Sequence, residues 1–158
     1  MSQRIDELTP QERQWIASQI EVAQALVEAF APEFAGQELT LEALDRGWAA
    51  WLETNQTDAA LINGTINCVG ATFGQFLIQS GLLRWVVATD ERSSELAVYG
   101  LPGRGDVLVF PANFVAKRWE RRESGFLQHA YHQIVGHVRT LDKASAEPSQ
   151  PKPWPKPG

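Results

Sequence analysis

Four glycines in an apolar stretch, INGTINCVGATFGQFLIQSG over Ile62–Gly81, set the strongest limit on how this chain folds. Glycine weakens helices and strands alike, so Gly64, Gly70, Gly74 and Gly81 need a positional reason. Asp58 is a capping residue ahead of the stretch and Gly81 is a stop, so the stretch reads as a helix. At about 100° per residue, Gly70, Gly74 and Gly81 share one side with Asn63 and Asn67. Ile62, Ile66, Val69, Phe73, Phe76 and Leu77 fill the adjoining side. The glycines therefore form a flat strip at the margin of a buried face. Two readings follow. The Gly70-x-x-x-Gly74 spacing lets another backbone approach closely. Alternatively, the strip floors a small-molecule groove rimmed by Asn63 and Asn67. Glycines inside an apolar helix, rather than in a loop after a strand, exclude a Walker or dinucleotide turn.

The same periodicity organises the rest of the chain. Thr9-Pro10-Gln11-Glu12 carries a cap, a proline at the first helical position and a capping-box acid. Ile16, Ile20, Ala23, Val27 and Phe30 follow at helical spacing, widened by Trp15, Val22 and Leu26, as far as Ala31 before Pro32. Thr40 caps a second helix with Leu41, Leu44, Trp48, Trp51 and Leu52 on one face. After Gly81 the pattern becomes short, β-branched and aromatic: LRWVVAT, SELAVYG and DVLVF, separated by residues 90–94 and 101–105. Pro111 then opens a helix running to about Glu123. A last helix carries Leu127, Tyr131, Ile134, Val138 and Leu141. The order predicts an α+β fold with three N-terminal helices, a three-stranded antiparallel meander and two C-terminal helices. Apolar residues on both faces of the strands predict that one face packs on helices and the other is not fully exposed. Residues 1–145 read as a single domain. Residues 146–158, AEPSQPKPWPKPG, read as a Pro-rich disordered tail or polyproline II segment, either a plain terminus or a ligand for another domain.

A chain of 158 residues with 44% hydrophobic and 21% charged residues supports one packed core. Its net charge of −5 argues against nucleic acid and anionic membrane and suits a basic protein partner. Cys68 is the single cysteine, so no internal disulfide forms. The N-terminal residues lack the apolar core of a signal peptide, and no uninterrupted apolar run has the length of a membrane span. A cytoplasmic protein is the expectation. Six tryptophans serve either a core or an interface.

Candidate chemistry is sparse. In KRWERRE, Lys117 and Arg118 lie among Glu120 and Glu123. That pattern gives a solvated ion-pair face, or an anion anchor if Arg118 turns toward the glycine strip. His129, His132 and His137 fall opposite the last helix's apolar stripe at spacings that do not suit a metal pair. Cys68 has no base placed beside it in sequence and reads as a structural thiol. Asp90, Glu91 and Arg92 read as a polar hairpin tip. No metal and no cofactor is expected.

VGATFGQFLIQSGLLRW, VVATDERSSELAVYG and FPANFVAKRWERRESGFL together resemble a bacterial family, the domain of unknown function 3806. The resembling positions are Gly70, Gly74, Trp85, Pro111, Val115, Lys117, Arg118, Glu120 and Glu123, in the middle and later half of the chain. The resemblance implies a bacterial source and an α+β layout, and no reaction. The expectation is a non-enzymatic protein-interaction module, of which a toxin-neutralising or adaptor role is one form. The alternative is a small-molecule binder or enzyme using Asn63, Asn67, Gly70 and Gly74.

Overall fold

The first helix starts where its cap predicts. Thr9 Oγ1 accepts from the Glu12 N–H, and the Glu12 carboxylate accepts from the Thr9 N–H, a complete capping box. The computed structural model describes residues 3–145. Helix α1 spans Pro10–Phe30, and a short 3-10 turn follows at Pro32–Phe34. Helix α2, Leu41–Leu52, is capped by Thr40, and α3, Ala59–Ile78, by Asp58. Helices α4 (Pro111–Glu120) and α5 (Leu127–Ser145) close the chain. The α+β class holds, with five α-helices and one antiparallel sheet.

The sheet has four strands rather than three. Strand β1, Arg4–Asp6, joins β2 (Leu83–Thr89), β3 (Ser94–Gly100) and β4 (Val107–Val109) in the order β1-β2-β3-β4. Ile5 pairs with Ala88, Val86 with Ala97 and Val98 with Val109. Strand β1 was not expected because it is three residues long with one apolar side chain, below the run that marks a strand. Two helix ends also differ. Helix α3 stops at Ile78 and Gly81 turns the chain with φ +96°. Helix α4 stops at Glu120, and Arg122 takes the left-handed region at φ +58°. That conformation lets the Arg122 guanidinium donate to the Leu52 carbonyl at the end of α2 (3.2 Å) and to Asn55. The Pro-rich segment 146–158 lies outside the described residues.

Alternation along the strands makes two apolar layers. Leu83, Trp85 and Val98 face the helices and join a core with Val27, Leu44, Trp48, Val69, Phe73 and Leu127. Val86, Ala88 and Ala97 lie on the other face, buried under Ile5, Tyr99, Leu108 and Phe110. Helix α3 is central and packs on α1, α4 and the sheet. By length and composition alone it qualifies as a membrane span, contrary to the sequence expectation, but 56% of that window is buried inside the protein. It behaves as a core helix.

Asp45 ties the two ends of the helical layer together. Only 6% exposed, it accepts from the Leu127 N–H at 2.9 Å and the Gln128 N–H at 3.0 Å. A carboxylate on α2 thus caps the start of α5 and meets its dipole. Beside it the Trp48 indole N–H donates to the Glu123 carbonyl at 2.8 Å. Replacing Asp45 with Ala strands two amides in a buried place. We expect Asp45→Ala to lower unfolding free energy by about 2–4 kcal/mol in a urea titration. A change near zero would mean the α2–α5 junction does not rest on this cap.

Candidate functional site

The glycine strip is occupied by protein. A Cβ on Gly70 would lie 2.8 Å from the Cα of Ala112 and 3.0 Å from its nitrogen. On Gly74 it would overlap the six-membered ring of Trp85 and come within 3.1 Å of Pro111 Cγ. Both distances are below ordinary van der Waals contact, so only glycine fits without a shift. The start of α4 and the ring of Trp85 lie directly on α3. The Trp85 indole N–H donates to Gln75 Oε1 at 3.2 Å, which fixes the ring, and Phe73 stacks on Phe114 with centroids 5.3 Å apart.

The candidate binding residues therefore separate. Gly70 and Gly74 are buried beneath Pro111, Ala112 and Trp85. Asn63 is exposed. Asn67 is half-buried and lines a slot of about 180 Å3 with Trp15, Ala71, Trp85, Leu96 and Pro111. That slot lies beside the seam rather than over it. Arg118 points to neither place. Its guanidinium sits 4.3 Å over the Phe114 ring and pairs with Glu123 at 3.3 Å. Lys117 is exposed.

Sequence periodicity misplaced two side chains. Trp15 and Val22 were grouped with the buried stripe of α1, but they are 39% and 48% exposed. The core takes Ile16, Ala23 and Val27 instead. Trp15, Gln19, Val22 and Leu26 line the edge of α1 that faces α3. Val22, Leu26, Ala60, Leu61, Gly64 and Cys68 line an open groove of about 420 Å3 between the two helices. Leu61 on its far wall is 55% exposed. Trp15, Val22 and Leu61 are the large exposed apolar side chains among the described residues; Val22 and Leu61 line this groove, and Trp15 lines the slot beside the glycines. For Trp15 and Val22 the sequence signal was present in the spacing, but periodicity does not say which side of a stripe is covered.

The family model described as Domain of unknown function (DUF3806) matches residues 41–131, more than half of the chain. The chain belongs to that family. The match runs from α2 to the start of α5. It includes the whole of α3 and the glycine seam, whereas β1 and α1 precede it. No curated protein and no solved structure matches the chain significantly.

His129, His132 and His137 are exposed on α5, and no group of three or more metal-ligating side chains occurs among the described residues. Thr72 is buried, and its hydroxyl has no hydrogen-bond partner among the described residues. Cys68 is buried at the base of the α1–α3 groove, where its thiol donates to the Thr65 carbonyl at 3.3 Å. Loss of hydration pushes the thiol up to about 11. At pH 8 that leaves about one thiol in a thousand ionised. We expect Cys68 to react with an aromatic disulfide reagent at least about a hundredfold more slowly than free cysteine at pH 8, and fully once urea unfolds the chain. Rapid labelling of the folded protein would show that the groove opens to its base.

Proposed function

We propose that this DUF3806 protein is a non-enzymatic interaction module whose α1–α3 groove receives an apolar helical face of a partner protein. One observation carries the reading: Val22 of α1 and Leu61 of α3, two of the three large exposed apolar side chains among the described residues, line the same groove. Large apolar side chains scattered singly over a surface need no explanation, whereas apolar side chains gathered in one groove favour association. Ala60, Gly64 and Cys68 keep the α3 wall low, and no charged side chain lines this groove among the described residues. Two antiparallel helices with a low floor and raised apolar edges suit a third helix with apolar residues three and four apart. Toxin neutralisation or an adaptor role is one form such binding takes.

A small-molecule reading has less support. The seam at Gly70 and Gly74 is filled. The slot beside it, at about 180 Å3, is smaller than the ~300 Å3 at which small-molecule sites begin.

The test places a photo-reactive phenylalanine at Val22 or at Leu61, and at the exposed Glu28 on the opposite side of α1 as control. Illumination in the native host should give a discrete heavier adduct from the two groove positions and none from Glu28. Adding Asp at the other groove position should remove the adduct while stability changes by less than about 0.5 kcal/mol, since both sites are exposed. Identical adducts from all three positions, or none from the groove, would reject it.

A further inference from the structure

The slot beside the glycine seam, at about 180 Å3, is less than half the volume of the α1–α3 groove, and two tryptophans wall it. Trp15, Asn67, Trp85, Glu95, Leu96 and Pro111 line it. Neither lysine nor arginine lines it among the described residues. Aromatic-walled slots of this kind receive polyproline II segments, whose extended form is preset and costs little entropy to bind. We propose that the slot is a polyproline II site and that its occupant is this chain's own segment Pro148–Pro157, PSQPKPWPKP.

Three features point to that occupant. Polyproline II repeats about every three residues, so Pro148, Pro151, Trp154 and Pro157 share one face. That face is wholly apolar, and Lys152 and Lys156 fall on the other two. Charge is the second feature. Residues 146–158 carry two lysines and one glutamate, a net +1, so the remaining residues carry −6 of the chain's −5. A basic segment thus meets an acidic body.

Reach is the third. The Leu141 side chain lies 2.9 Å from where a Cβ on Gly105 would stand, and Asp142 pairs with Arg104 at 3.1 Å. Helix α5 therefore runs past the β3–β4 turn just before it ends. From there the slot lies back along the chain, from Leu101 just past β3 to Leu96 within it, about 17 Å at strand rise. Nine residues from Ser145 to Trp154 extend about 28 Å as polyproline II, which leaves several residues of slack. Trp15 and the Pro-rich segment both lie outside the family match over residues 41–131, so this site is a feature of the chain's flanks on the family's frame. It is separate from the helix-binding groove and stands or falls without it.

The experiment uses the full chain with Trp154 replaced by a photo-reactive phenylalanine, illuminated at low micromolar concentration, with the adduct mapped by mass spectrometry. We expect an intramolecular adduct on the segments holding Trp15, Leu96 or Pro111–Ala112. It should fall at least fivefold in Trp15→Ala and in the double variant Pro148→Ser, Pro151→Ser. Trp15 is partly exposed, and an unchanged thermal midpoint checks that Trp15→Ala remains folded. As a second readout, the indole N–H resonances of Trp15 and Trp85 should shift when Pro148, Pro151, Trp154 and Pro157 are all replaced by Ser. An adduct on Tyr99 or Phe110 would place the segment on the outer sheet face instead and overturn the proposal. Covalent dimers, indicating a second copy, would overturn it too, as would absence of any adduct or unmoved indole resonances.

Discussion

The contact of the Ala112 backbone with Gly70 is the constraint on which the middle of the structure depends. It brings the start of α4 onto α3 closer than any side chain permits. One turn later Gly74 admits the ring of Trp85, so the strand β2 is keyed to the same helix. The two glycines therefore set the registration of a helix, a strand and a second helix at once. Phe73 stacking on Phe114 and the Trp85–Gln75 hydrogen bond then hold the arrangement from either side. Close packing transmits such a constraint because the interior has few alternative arrangements of equal density. The seam also shapes what lies beside it. The wall that Trp85 and Pro111 present to the slot exists because both are seated on glycine.

Local chemistry was legible in the sequence wherever the signal was local. Thr9, Thr40 and Asp58 cap the helices they precede, and the three longer apolar runs became β2, β3 and β4. The glycine strip was visible as a strip, because helical periodicity places Gly70 and Gly74 together. What escaped was non-local. Asp45 reads as an ordinary polar residue in an amphipathic helix, yet it is buried because its partners are amides 82 and 83 positions away. Strand β1 forms because β2 offers it an edge, which three residues cannot announce. Arg122 takes the left-handed C′ position of a Schellman cap, where the Glu123 N–H bonds the Arg118 carbonyl, and its non-local role, the bond to the end of α2, left no mark in the sequence.

The candidate site was legible in part. Asn67 borders the slot, and Gly70 and Gly74 lie beneath its walls rather than in its floor. Arg118 is accounted for by Phe114 and Glu123, so its charge is engaged within α4 and its corner. The functional surfaces proposed instead depend on Trp15 and Val22, which a period of 3.6 residues assigns to the widened buried stripe of α1, and on Leu61 of α3. Whether a margin is covered depends on the width of the neighbouring helix. On α3 that width is cut away by Ala60, Gly64 and Cys68. The small residues of α3 thus act on two sides: Gly70 and Gly74 admit the sheet and α4, and Gly64 keeps the opposite groove open.

Comparison of Gly70→Ala with Gly64→Ala by chemical denaturation tests this account most directly. Both substitutions add one methyl to the same helix, so intrinsic propensity favours each by about 0.5–1 kcal/mol. At Gly64 the methyl meets nothing within 4 Å, and that gain should be observed. At Gly70 it meets the Ala112 backbone at 2.8 Å, and the sign should reverse to a loss of about 1–3 kcal/mol. Equal stabilisation by the two variants would contradict a closed seam and return Gly70 and Gly74 to the floor of an open groove.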